Sequence, residues 1–400
     1  MTDQSFENRV QQRLQELHDQ QRFRAANVVQ LLADGRCEID GQAIINFGGN
    51  DYLGLAHEVG RVFREEAVTQ VGATASALVA GRSQLHRDLE NALAAFEATE
   101  AALLFPTGYA ANLGVLTGLV EDGDAVFCDR DNHASIIDAA RASAGKMLVY
   151  RRDRLAALQQ SLAKRRHEFR NVFLVTDGVF SMDGTVAPLA ELCDLAEQFD
   201  ARVIVDEAHG TGVLGTHGRG ACDLAGGNDG ASVEDRVLLR VGTMSKAMGG
   251  LGGFAVSTQP VIDLLRNTAR TQFYSTALPP AMCAAMLESL RIITSEPERR
   301  ERVQQLTELA HNEIVARGLS TVPGGVTPIV PVIVPGEAAV MKASSGLREA
   351  GYFVPAIRTP TVRAGAERLR LSFGVHHSEE AVTSVLAAIS DLTSGLAAGF

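Results

Sequence analysis

The sequence predicts an α/β protein with a large domain built on a mostly parallel, seven-stranded sheet and a smaller α+β C-terminal domain. Three observations lead there. At 400 residues the chain exceeds the size at which one hydrophobic core keeps growing, so two domains of unequal size are expected. From about residue 49, seven short apolar, β-rich runs alternate with helical patterns, as in a sheet covered by helices on both faces. The residues able to do chemistry fall just after the ends of these runs, where open α/β sheets bind ligands.

Taken in order, residues 6–20 place Phe6, Val10, Leu14 and Leu17 at helical spacing among polar neighbours, which predicts an amphipathic helical arm over 1–48 that ends in an extended run at 39–47. The large domain, 49–280, carries strands expected at 102–105, 125–128, 147–150, 172–176, 202–206, 237–241 and 253–257. After Pro279-Pro280 one long helical stretch is expected to about Arg317, with Gly318 as its stop. The small domain, 281–400, adds strand-like runs at 329–334, 352–357 and 368–373. A final helix carries Val382, Val385, Leu386, Ile389 and Leu392 on its apolar face.

Composition narrows the function. With 46% hydrophobic and 21% charged residues the chain is an ordinary globular one, and a formal charge of -11 lacks the basic footprint of a nucleic-acid or anionic-membrane binder. Five widely spaced cysteines with no CxxC pair argue against a disulfide framework and against a metal site, and they fit a reducing cytoplasm. The N-terminus is polar, and no window approaches 18 uncharged apolar residues, so neither secretion nor membrane insertion is expected.

The chemistry concentrates in a few segments. Phe105-Pro-Thr-Gly108-Tyr109 runs from a strand through glycine into a helix, whose first N–H groups and dipole can seat a phosphate; a plain strand-to-helix turn is the bland alternative. His133, at a helix entry, can lie flat on an aromatic ring or simply cap the helix. In Arg202-Val-Ile-Val-Asp206-Glu-Ala-His209, an apolar strand delivers a carboxylate to a crevice with a histidine three residues later. An ionised aspartate keeps a neighbouring pyridine nitrogen protonated.

Lys246 follows the next strand and enters a glycine-rich turn, Gly242-Thr-Met-Ser-Lys-Ala-Met-Gly-Gly, from which an amine can reach an aldehyde. Arg370 alternates with Leu369 and Leu371, so one face of its strand is cationic, as carboxylate recognition by a guanidinium fork requires. Aspartate, histidine and lysine in this order are what an enzyme built around pyridoxal 5'-phosphate (PLP) needs.

Two other readings of the same segments are weaker. Asp206-Glu-Ala-His209 also matches the acidic box of nucleic-acid-dependent ATPases, but no GxxxxGK[ST] phosphate loop precedes it. Gly210-Thr-Gly-Val-Leu-Gly215 and Gly250-Leu-Gly-Gly-Phe-Ala255 resemble dinucleotide fingerprints. Neither opens a clear helix with an acidic residue about 20 positions on, as a nicotinamide dehydrogenase requires.

Across nearly the whole chain, Asn50-Asp-Tyr-Leu-Gly-Leu55, Gly178-Val-Phe-Ser-Met-Asp-Gly184, Asp206-Glu-Ala-His-Gly210, Lys246, Tyr274-Ser-Thr-Ala-Leu-Pro-Pro280 and Arg368-Leu-Arg370 together resemble the α-oxoamine synthase family of PLP enzymes. The resemblance implies an aspartate-aminotransferase-like architecture and a homodimer with shared active sites. By motif, Lys246 would bind PLP covalently, Asp206 would meet the pyridine nitrogen and His209 the ring hydroxyl. Gly108 and Tyr109 would offer amides to the phosphate and Thr243 a hydroxyl, with His133 stacked on the ring and Ser181 touching the cofactor. Ser275 and Thr276 would reach the neighbouring subunit's phosphate, and Arg370 would bind the amino-acid carboxylate.

Residues 357–365 before Arg368 are most similar to the branch that condenses L-alanine with a pimeloyl thioester of coenzyme A or acyl carrier protein, in which Arg24 and Thr361 would contact substrate, as would His133. Other branches use glycine with acetyl- or succinyl-CoA, or serine with a long acyl chain. Acyl length is set by pocket shape, which the sequence does not display. Two positions depart from the family pattern: Gly72-Ala-Thr-Ala-Ser76-Ala-Leu in its glycine/serine-rich segment, and Asp177 where glutamate is usual.

Overall fold

The computed structural model describes residues 3–19, 23, 28–64, 70–225, 232–324 and 326–397. A helix, Asp3–Asp19, precedes three short strands, β1 (Val29–Leu31), β2 (Arg36–Ile39) and β3 (Gln42–Asn46). The large sheet follows, built from β4 (Ala101–Phe105), β5 (Ala125–Asp129), β6 (Lys146–Tyr150), β7 (Val172–Asp177), β8 (Arg202–Asp206), β9 (Leu239–Thr243) and β10 (Gly253–Ser257). Its spatial order is β4-β10-β9-β8-β7-β5-β6.

All seven strands stand where the apolar runs predicted them, within two residues at each end. Their continuous apolarity is what a sheet covered on both faces demands. Leu103, Phe105, Val126, Val175 and Ile204 pack on one face against helices Gly108–Leu119, Ala134–Ala142 and Gln259–Thr268. Leu104, Phe127, Leu174, Val203 and Val205 pack on the other against Gln84–Phe96, Leu189–Gln198 and Pro280–Ser295. The sheet is parallel except for β10, which runs antiparallel to both β4 and β9. Residues 244–252 between β9 and β10 are too few for a helical crossover, so the chain must reverse. That reversal carries Lys246.

In the C-terminal part, β11 (Ile329–Ile333), β12 (Tyr352–Phe353), β13 (Ala356–Ile357) and β14 (Arg368–Ser372) follow, with β11-β14-β13 forming a three-stranded sheet. Two expectations need correction. The single strand expected at 352–357 is broken at Pro355, which has no N–H for a ladder; β12 pairs parallel with β3, and β13 pairs antiparallel with β14. The long helix expected to about Arg317 is two helices, Pro280–Ser295 and Glu298–Ala316, because Pro297 cannot continue a helix and forces Glu296 out of helical geometry (φ -123°, ψ 64°). Phe47, just past β3, is fully buried among Val330, Leu371 and Phe373, so the segment around β3 shares the core of the C-terminal part.

All five cysteines are buried and unpaired. No helix among the described residues is long and apolar enough to cross a membrane. No group of histidine, cysteine and carboxylate side chains among them could hold a metal ion.

Candidate active site

At the carboxyl ends of β7, β8 and β9 lies a cavity of about 200 Å³ lined by Gly108, Tyr109, His133, Ser181, Asp206, His209, Thr243 and Lys246, among others. These eight positions come from five separate chain segments. The sheet brings them together because each follows a strand end or opens the helix after it.

Thr107 caps helix Gly108–Leu119, its Oγ1 accepting from the Ala110 N–H (3.0 Å). The amides of Gly108 and Tyr109 in the first turn have no acceptor among the described residues, as expected of the first N–H groups of a helix. Gly108 is there for closeness: a Cβ on it would stand 3.1 Å from the Thr243 Cβ and 3.2 Å from its Oγ1. Thr243 Oγ1 lies 2.8 Å from Ser245 Oγ, which adds a second hydroxyl beside the open amides. Positive helix dipole, free N–H groups and two hydroxyls suit a phosphate.

Asp206 ends β8, buried and in register with Asp177 of β7. One of its oxygens accepts from the Ala208 N–H (2.8 Å) and the other from Asn112 Nδ2 (2.6 Å), whose amide also donates to Ser135 Oγ (2.9 Å). The carboxylate is therefore fixed in direction. Asp177 accepts from the His133 N–H (2.7 Å), so the shorter acid still reaches the start of helix Ala134–Ala142. Burial and the neighbouring Asp206 raise its carboxyl pKa well above the usual range. His133 itself is exposed to the cavity, with Nδ1 2.7 Å from Ser135 Oγ.

His209 Nδ1 lies 2.7 Å from the hydroxyl of Tyr52. Burial first, then Lys246 and Arg370, push its imidazole well below the ordinary range, so it stays neutral. Lys246 is half-buried, and burial lowers its amine to about 8 against the opposing pull of Asp206 and Asp177. Arg370, in β14, is buried and donates to Ser181 O (2.6 Å), Ser372 Oγ (2.9 Å) and Asn50 Oδ1 (3.2 Å). No carboxylate among the described residues lies within salt-bridge distance of it. A buried guanidinium held only by neutral acceptors is set for an anionic ligand.

Lys246 and Ser245 also line a second cavity of about 350 Å³ with Leu31, Leu32, Asn50, His57, Phe373 and His376. The amine thus stands between two spaces. The sequence assigns no role to Asn112, Tyr52 or Asn50, whose roles depend on partners far along the chain.

Three expected residues lie elsewhere. Ser275 and Thr276 do not line the Lys246 cavity; Thr276 bridges to Ser76 on a surface that exposes Tyr274, Leu78 and Val79. Thr361 is exposed in a turn closed by its N–H to Arg358 O (2.9 Å), and it lines neither cavity. Arg24 falls outside the described residues.

The residues present fit PLP: open amides for its phosphate, an oriented carboxylate for its ring nitrogen and a half-buried amine for its aldehyde. Comparison with known proteins agrees. Residues 42–389 match the family model described as aminotransferase class I and II. The chain is 44% identical over 383 residues to the 8-amino-7-oxononanoate synthase of Methylococcus capsulatus, covering 94% of this chain and 96% of that one. It is 40% identical to the enzyme of that name from Geotalea daltonii, covering 92% and 93%. Among solved structures, S. paucimobilis serine palmitoyltransferase with bound PLP–myriocin aldimine superposes with a TM-score of 0.88, at 28% identity over all of both chains. By fold, motif and relatives alike, the chain belongs to the class I and II aminotransferase family, among its PLP-dependent α-oxoamine synthases.

Proposed function

We propose that the enzyme condenses L-alanine with a pimeloyl thioester of coenzyme A or an acyl carrier protein, releasing the thiol and CO₂ and forming 8-amino-7-oxononanoate for biotin biosynthesis. The observation that carries this reading is the buried Arg370, without a carboxylate partner among the described residues, whose charge acts on a lysine that borders two cavities. The two relatives named above support alanine and the pimeloyl donor over glycine and acetyl-CoA.

PLP supplies an electron sink for negative charge at the amino acid's α-carbon. Lys246 would hold the cofactor covalently and would serve as the base for the substrate's α-proton; its lowered pKa leaves a usable neutral fraction near pH 7.5. Asp206, aimed by Asn112 and Ala208, would keep the ring nitrogen protonated. His133 would cover the ring, His209 would meet its hydroxyl, and Ser181 would contact it. Gly108, Tyr109 and Thr243 would take the phosphate, joined by Ser275 and Thr276 of a second copy in a homodimer. Exposed Val71, Leu78, Val79 and Tyr274 favour such an interface.

Arg370 binds the amino-acid carboxylate, while Arg24 and Thr361 serve the acyl substrate. The second cavity, with Leu31, Leu32 and Phe373 on its wall, gives the acyl arm an approach to Lys246. Five free, buried cysteines suit a reducing cytoplasm.

The test is a panel of alanine, glycine and serine against acetyl, pimeloyl and palmitoyl thioesters, followed by thiol release. Alanine with pimeloyl thioester is expected to give the highest kcat/KM. Faster turnover of glycine with the acetyl donor would overturn the substrate assignment.

A further inference from the structure

Asp206 and His209 are absorbed by the cofactor site, but the glutamate between them is not. Glu207 points away from the cavity into the protein, where it is 1% exposed. Its two oxygens accept the N–H groups of Ala221 and Cys222, both at 2.8 Å, at the start of helix Ala221–Leu224. Three glycines make room for it: a Cβ on Gly178, Gly210 or Gly220 would come within 2.8, 2.3 or 2.3 Å of Oε2.

The backbone of the same residue holds the other end of the segment. The Glu207 N–H donates to Val241 O (2.7 Å) in β9, and its carbonyl accepts from Gly210 and Thr211 (both 2.8 Å). Between these anchors the chain turns out and back, with Gly212 N–H donating to Gly218 O (2.6 Å) and Gly220 N–H to Leu214 O (3.0 Å). Residues 207–220 thus form a closed loop that begins at the Glu207 backbone and ends at its side chain.

We infer that Glu207 is a positioning residue for the cofactor: by tying the loop's return at Ala221 and Cys222 to the residue between Asp206 and His209, it fixes how those two side chains face the PLP ring. The reason is geometric. Rotation of the backbone at residue 207, which lies between them, would turn His209 relative to Asp206, and the two buried N–H bonds oppose that rotation. Preorganised groups lower the cost of ordering at the moment of binding. The inference rests on PLP occupying the Lys246 cavity and adds a residue that does not touch it.

Glu207→Gln keeps the shape but turns an N–H donor toward one of the two backbone donors. An unmet buried amide costs enough to weaken PLP binding by about 5- to 150-fold if the loop sets the site. The first measurement is spectral titration of cofactor-stripped wild-type and Glu207→Gln protein with PLP. The second, on wild type alone, is amide exchange at Ala221 and Cys222 with and without PLP. Coupling is reciprocal, so PLP should slow exchange at both amides although neither lines its cavity.

Wild-type PLP affinity in Glu207→Gln, or exchange unaffected by PLP, would overturn the inference and leave Glu207 as a core pin. If the variant fails to fold, the exchange measurement decides. Failure of the wild-type protein to bind PLP would instead overturn the cofactor site itself.

Discussion

The amine of Lys246 should titrate near pH 8, more than two units below an exposed lysine, and this is measurable before any substrate is added. Burial is the largest cause; Arg370 lowers the pKa further, while Asp206 and Asp177 raise it. At pH 7.5 a group with a pKa of about 8 is roughly one quarter neutral, whereas an ordinary lysine is neutral about once in a thousand. Only the neutral amine attacks an aldehyde. Covalent capture of PLP by cofactor-stripped protein should therefore be roughly 200-fold faster at that pH than with an unperturbed lysine.

Stopped-flow growth of the visible band from pH 6 to 10.5 reads this directly. The rate should climb and level off around pH 8. The neighbours give signs: Arg370→Ala removes a positive charge and should move the midpoint up, while Asp206→Asn removes a negative one and should move it down. A wild-type rate that keeps rising about tenfold per pH unit from pH 8 to pH 9.5, as an ordinary lysine's would, would refute the electrostatic argument.

Other outcomes follow from the same geometry. Lys246→Ala should lose turnover while still binding PLP without a covalent bond; wild-type-like turnover in the purified variant would remove it from the chemistry. Asp206→Asn should slow exchange of the alanine α-deuteron by about 100- to 1,000-fold, the scale on which one preorganised electrostatic partner acts, and unchanged exchange would count against it. Arg370→Ala should raise the apparent KM for the amino acid roughly 10- to 150-fold, with a smaller effect on the acyl thioester in steady-state kinetics. Mixing Lys246→Ala with Thr276→Asp, each inactive alone, should restore some activity through exchanged subunits. Full activity in a demonstrated monomer would exclude a shared site.

The large sheet was legible because each strand is a short apolar run between polar helices, and strands buried on both faces leave no alternation to misread. Lys246, Asp206 and His209 were legible for a related reason: a polar, ionisable residue at or within three positions of the end of such a run is delivered to the crevice at the sheet's end. Asn112, Asn50 and Tyr52 were not, since an uncharged polar side chain gives no sign of its partner until packing supplies one. Asn112 meets Asp206 from 94 positions away, and Asn50 meets Arg370 from 320. The parallel pairing of β3 with β12 was hidden in the same way, whereas Pro297 and Pro355 were visible breakers whose local rule outweighed the apolar pattern around them.

Carboxyl-labelled L-alanine tests the central claim most directly. Incubated with pimeloyl thioester and the PLP-loaded enzyme, it should release labelled CO₂ and free thiol in equal amounts, with the unlabelled remainder of alanine recovered in 8-amino-7-oxononanoate. Thiol release without labelled CO₂, or transfer of the amino group to a keto acid with the carboxyl label retained, would contradict the account.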